Sequence, residues 1–241
     1  MNRRNVSIIC IALCLILLGG YILRQNYLLG EAYKSVEAYD YIPAEESKTI
    51  LEITPGVPID SLVPAVPILQ KAHAIDLLWQ KICQSAKIPD NRPTIATITE
   101  SGEIALWYKV SRKEQHDVKE SLPRLLSNDY PPVKEVEGKI TVKHYALQNG
   151  TFLHTLTAPG VVAFSLNGSL FREAQQTIDY AGRREHFANT LHSLDPEASA
   201  RLLRQIPGKN GRSSGRWEGK NIYTRTTGTE TIPSLPTDSL P

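Results

Sequence analysis

The sequence predicts an α+β protein: an N-terminal transmembrane helix, then a domain of antiparallel β-hairpins with helices packed on one face. Three observations carry that expectation. Residues Val6 to Leu23 are 18 positions without a charge. Two later stretches run as strand-forming residues around Gly-containing turns. Residues 67–87 repeat apolar side chains at helical spacing. Two of the hairpins also fit two copies of one strand–turn–strand–helix unit.

The apolar run comes first. At about 1.5 Å per residue, 18 residues make a helix of roughly 27 Å, close to the thickness of a bilayer's hydrocarbon core. The exit, "GGYILRQNYLLGEAY", places Tyr21, Arg24 and Tyr27 where a signal peptidase needs small residues. Aromatic and bulky residues there suit a membrane interface, so the run reads as an uncleaved signal anchor over 6–23. Arg3 and Arg4 precede it and no acid does, which keeps residues 1–5 in the cytoplasm and sends the rest across. Formal net charge is +2. Beyond those two arginines, Lys plus Arg and Asp plus Glu balance at 25 each. A neutral ectodomain lacks the field that nucleic acid requires, so nucleic-acid binding is set aside.

Residues 24–41 read as a Tyr-bearing stalk that extends the membrane helix until Pro43. An extracytoplasmic domain is expected over 42–206, long enough to bury one core. It opens with "KTILEIT", a strand closed by "PGVP". The helix "PILQKAHAIDLLWQKICQSAK" follows, with Pro67 at its start and Ile68, Ala72, Ile75, Trp79, Ile82 and Ala86 forming its buried stripe. "TIATITESGEIALWYKV" gives two strands around Ser101-Gly102. "ITVKHYALQNGTFLHTLTAPGVVAFSL" gives three, turning at Asn149-Gly150 and Pro159-Gly160. Each set runs into a helical stretch, "KEQHDVKESL" and "SLFREAQQTIDYA". "TESGEIAL" from Thr99 and "TAPGVVAF" from Thr157 match in their Thr, Gly, Ile/Val, Ala and Leu/Phe positions, 58 residues apart. From Pro207, 19 of the last 35 residues are Gly, Pro, Ser or Thr, so 207–241 is expected as a disordered tail, its basic start "GKNGRSSGRWEGK" solvated.

The search for chemistry returns little. Cys10 and Cys14 lie in the apolar run, and Cys83 stands alone beyond it, so no internal disulfide forms in the domain. Cys83 sits beside the buried stripe, where an inert thiol is expected. His116 with Glu120, and His73 with Asp76, have helical spacing for two metal ligands each, but zinc needs three or four and neither His-Glu-x-x-His nor Cys-x-x-Cys occurs. There is no Gly-x-Ser-x-Gly elbow, no Ser-x-x-Lys and no phosphate-cradling Gly loop. His186, His192 and Asp195 read as the polar face and cap region of two short helices. Trp79 and Trp107 read as core, and Trp217 stands in the tail. Asn149 and Asn167 begin Asn-x-Ser/Thr triplets that turn chemistry explains. No catalytic residue, metal ligand or cofactor is expected.

"AYDYIPAEESKTILEI", "RPTIATITESGEIALWYKV" and "GVVAFSLNGSLFREAQQTID" resemble membrane-anchored proteins of the Bacteroidetes that carry an uncharacterised, repeated α/β extracytoplasmic domain. The likeness covers about Ala38 to Ala181 and includes Leu170, Glu173, Ala174 and Ile178. It implies a bacterial inner-membrane location with the main domain in the periplasm, and it brings no activity, cofactor or site residue. The expected function is protein interaction or scaffolding at the envelope, through an unidentified envelope protein. The alternative is a periplasmic hydrolase or ligand-binding domain with a site assembled from distant residues. A pocket where several of His116, His144, His154 and His186 meet carboxylates would favour that alternative.

Overall fold

A computed structural model describes residues 3–43, 46–64, 66–126, 131–176, 191, 198, 200–205, 212–218 and 221–227. Within these, the side chains of 3–13, 29, 32, 176, 204–205, 212–218 and 221–227 are not described.

The chain is α+β with an antiparallel sheet. Eight strands make its body: β1 (Thr49–Ile53), β2 (Thr94–Ile98), β3 (Ile104–Lys109), β4 (Val133–Glu137), β5 (Ile140–Ala146), β6 (Phe152–Ala158), β7 (Val161–Ser165) and β8 (Ala200–Gln205). Their spatial order is β8-β1-β2-β3-β7-β6-β5-β4, and every neighbouring pair is antiparallel. Strands β9 (Arg212–Glu218) and β10 (Asn221–Thr227) extend the sheet beyond β8. The tail expected to be structureless from 207 therefore carries two strands. Its Ser, Thr, Ile, Tyr and Trp residues suit a pleated hairpin, a reading that the Gly and Ser count obscured. Residues 228–241 lie outside the described residues.

Helices cover both faces of the sheet, where one face was expected. Along β3, Leu106 and Tyr108 join one core and Ala105 and Trp107 the other, as strand alternation requires. The first core is closed by α2 (Ile59–Leu62), a 3-10 helix over Pro67–Ala72, α3 (His73–Ala86) and α4 (Arg112–Leu126). The second is closed by a 3-10 turn over Ala38–Tyr41 and by α5 (Ser169–Gln176). The physical reason is legible in "IALWY" and "VVAFS": strands buried on both sides read as continuous apolar runs rather than alternating ones. Trp79 of α3 stacks on Tyr108 with ring centroids 4.0 Å apart, and Trp107 meets Phe171 of α5 edge-on at 5.6 Å. Each such aromatic pair adds about 0.5–1.5 kcal/mol beyond the area it buries.

The expected helix over 67–87 is a 3-10 start followed by α3, with Ile75, Trp79 and Ile82 buried as the spacing required. At its first turn Leu69 is the fully buried residue, and Ile68 is only partly buried. The matching hairpins pair through β3 and β7, and the register puts Leu106 opposite Phe164, with Trp107 opposite Ala163 and Ala105 opposite Ser165. Leu106 and Phe164 are equivalent positions in the 58-residue match, so the pairing is symmetric about them.

Helix α1 runs unbroken over Arg3–Ser35 and contains the expected span. Among the described residues no helix is long and apolar enough to cross a membrane. The part of the apolar run whose side chains are described begins at Cys14, and ten residues at about 1.5 Å each fall well short of a bilayer. The stalk expected over 24–41 divides in two. Arg24 to Ser35 continue α1, whereas Ala38, Tyr39 and Tyr41 are core residues of the domain. The end of α1 is held by that domain: Tyr33 donates its hydroxyl to Gln115 Oε1 at 2.6 Å, and Arg112 Nη1 donates to Asn26 Oδ1 at 3.3 Å. Gln115 in turn donates Nε2 to the carbonyls of Ala158 and Val161.

Candidate functional site

The turn at Asn149-Gly150 decides the site. Asn149 Oδ1 accepts from the Thr151 amide at 3.1 Å and the Thr151 hydroxyl at 2.7 Å, and Gly150 takes φ 79°. That turn sets the β5–β6 register and places His144 directly opposite His154. The two histidines lie five residues either side of Asn149, a symmetry visible in the sequence once the turn is read. Their Nδ1 atoms are 2.6 Å apart, with the rings edge to face and centroids 4.7 Å apart. On the edge strand β4, Glu135 brings Oε1 to 3.4 Å from His144 Nε2. After β7, Gly168 lets the chain pass over the His154 ring: a Cβ there would stand 2.7 Å from His154 Nδ1. The result is a cleft of about 400 Å³ whose walls include Glu135, both histidines, Asn167, Ser169 and Arg172.

The electrostatics follow from the spacing. Two facing Nδ1 atoms share one proton well, and a second proton puts like charges side by side. His154 titrates below its ordinary value, first because burial disfavours the imidazolium and then because of the His144 charge, with Glu135 opposing. Glu135, His144 and His154 thus form a carboxylate–imidazole–imidazole chain that can hold or pass a proton. A nucleophile is not aligned with it. The Ser169 hydroxyl donates to Glu103 Oε2 at 2.6 Å, and Ser165 donates to the Ile104 carbonyl at 2.7 Å. Among the described residues no group of three His, Cys, Asp or Glu side chains could hold a metal ion.

Other residues singled out in the sequence are scattered. His116 is exposed on α4, and Glu120 pairs with Arg124 at 3.5 Å instead. His73 Nδ1 meets Asp60 Oδ1 at 2.6 Å, while Asp76 accepts from Gln80 at 2.8 Å. The Cys83 thiol is pushed up to about 12, by burial first and by nearby carboxylates second, which makes it inert. Trp107 is core and donates Nε1 to Thr97 Oγ1 at 2.9 Å. Asn167 donates to Glu103, so its side chain is engaged. The side chains of Arg3, Arg4, Cys10 and Trp217, together with His186, His192 and Asp195, lie outside the described residues.

Sequence reasoning missed a second polar group entirely. Glu52 is buried in β1, accepting from the Tyr39 hydroxyl and from Arg201 Nη1 at 2.7 Å. Arg201 is its cross-strand neighbour on β8, a strand not read from the sequence, so the pair left no local signal. Removing one partner from such a pair strands a buried charge, and its role is to hold β1, β8 and the Ala38–Tyr41 turn together. No family model, curated protein or solved structure matches the chain.

Proposed function

We propose that this chain is a single-span envelope protein of the bacterial inner membrane whose periplasmic α+β domain works by binding a partner protein. The observation that carries this reading is α1. Its large apolar side chains stand in the open, with Leu15 at 63%, Ile16 at 72% and Leu23 at 72% exposure, and the same run continues back to Val6 without a charge. So much contiguous apolar surface in water is costly, and a lipid environment removes the cost. Arg3 and Arg4 then anchor the cytoplasmic side. Tyr33 and Asn26 tie the helix to the folded body, which supports a tether that fixes the domain's height above the bilayer. The Bacteroidetes likeness and the reading of the two hairpin units as a duplication belong to this same proposal.

Fusing alkaline phosphatase or green fluorescent protein to the C-terminus tests the orientation. The phosphatase fusion is expected to be active and the fluorescent fusion dark. The opposite pattern overturns the reading.

One observation favours the second reading, a periplasmic ligand-binding or hydrolytic domain: the Glu135–His144–His154 chain opening into a cleft. The engaged hydroxyls of Ser165 and Ser169 favour ligand binding over hydrolysis within it.

A further inference from the structure

A second groove lies on the opposite side of the sheet, between α3 and the 54–58 loop that joins β1 to the start of α2, with a volume of about 360 Å³. Its lining side chains include two carboxylates, Asp76 and Asp90, and no Lys, Arg or His. Neither carboxylate has an ion-pair partner among the described residues. Asp76 is held above the usual carboxylate range, chiefly by burial, with Asp60 and Asp90 adding to it; the Gln80 hydrogen bond and His73 act the other way. His73, three residues before Asp76, has its Nδ1 against Asp60 Oδ1 at 2.6 Å instead. A desolvated carboxylate facing other carboxylates gains most from a positive charge brought in from outside.

The floor of the groove points the same way. Trp79 lines it and stacks on Tyr108, whose cross-strand neighbour Thr94 also lines it. The Tyr108 hydroxyl is buried, the residue only 3% exposed, and it has no hydrogen-bond partner among the described residues. Burial first, and then the nearby Asp76 and Asp90 carboxylates, push this phenol up. The Tyr108 ring therefore lies behind the Trp79 wall and does not line the groove itself.

We propose that this groove binds an organic ammonium ligand of diamine or amino-acid size, with Asp76 and Asp90 taking the charge and Trp79 walling the methylenes. A volume near 360 Å³ matches a small ligand rather than a peptide chain. An aromatic wall with carboxylates at its rim is the chemistry that selects ammonium over neutral compounds. The inference stands on the groove alone and is independent of where the chain resides.

The test is isothermal titration of the full chain in detergent with 1,5-diaminopentane, and in parallel with 1,5-pentanediol as its uncharged match. Saturable binding of the diamine is expected, with none of the diol. Asp76→Asn, which keeps the shape and the Gln80 contact, is expected to weaken the diamine at least about tenfold, because its charge-assisted contact is lost. Asp90→Asn is expected to weaken it less, and both variants should melt within a few degrees of the parent. Equal affinity for diol and diamine overturns the proposal, as does unchanged diamine affinity in both folded variants. Absence of saturable binding up to millimolar diamine overturns it as well.

Discussion

In one half of the sheet, β1 reaches β2 through residues 54–93, which hold α2, the 3-10 helix and α3. In the other, β5 reaches β6 through the tight turn at 147–151. The strands on either side match: Gly102 and Gly160 turn with φ 76° and 79°, each hairpin leads into a helix, and the two meet at Leu106 and Phe164. The difference teaches where chemistry enters such a fold. The strands fix a shared scaffold, and each connection adds its own cavity. The long insertion carries Asp76 and Trp79 over one face and makes the acidic groove. The short turn brings no helix, and β5 and β6 carry a half-buried cross-strand histidine pair on the other face.

The comparison breaks first at its seam. Phe164 is fully buried and its ring lies 6.0 Å from both Trp79 and Tyr108, so Phe164→Ala is expected to cost about 3–5 kcal/mol. Leu106→Ala, its equivalent, is expected to cost about 2–5 kcal/mol. Urea unfolding of each variant in detergent checks both, and a loss under about 1 kcal/mol at either position would contradict a shared core at the seam.

The two turn glycines sharpen it. A Cβ on Gly160 would lie 3.0 Å from the Tyr33 carbonyl oxygen, which is backbone and cannot yield. A Cβ on Gly102 would lie 3.0 Å from Ile68 Cδ1, the far end of a side chain that can turn away. Both substitutions pay roughly 1–2 kcal/mol for the left-handed backbone. Gly160→Ala is expected to lose about another 1–2 kcal/mol and to loosen α1, seen as faster trypsin cleavage near Arg24. Equal losses at the two glycines would deny that α1 is seated on the second hairpin.

Two pH effects separate the halves further. Burial alone would raise the Glu114 carboxyl, but its hydrogen bonds to Arg92 and Ser111 outweigh burial and hold it below its ordinary range. A depressed carboxyl contributes stability that is present above its unfolded value, about 4.3, and is lost as pH falls through the lower folded value. Arg92→Leu should flatten the acid limb of the stability curve between about pH 4.5 and 3. His154 has the reverse chemistry and a smaller effect. Its folded form binds a proton less readily than the unfolded chain, so stability declines as pH drops below about 6.5. His154→Gln should remove that decline, as read by melting temperature between about pH 7 and 5. A decline that survives the substitution would assign it elsewhere.

How much of this was legible depended on where the signal was local. Glycine turns at 102, 150 and 160 and the Ile75, Trp79, Ile82 stripe gave strands and helices directly. β4 escaped because "VKEVE" is exposed throughout and reads as a charged loop, the usual disguise of an edge strand. With β4 unread, Glu135 had no visible route to His144. The groove escaped because Thr54, Asp76, Asp90 and Thr94 belong to separate segments and line one cavity only when α3 lies over the sheet. Site chemistry assembled across strands leaves no spacing to find.

The account rests most heavily on α1 holding the folded body to a lipid bilayer. Alkaline carbonate washing of membranes from cells making the full chain, with N-terminal sequencing of the recovered protein, tests it directly. The expected result is retention in the membrane pellet with a sequence that begins upstream of Val6. Release into the wash, or a polypeptide beginning near residue 25, would contradict it.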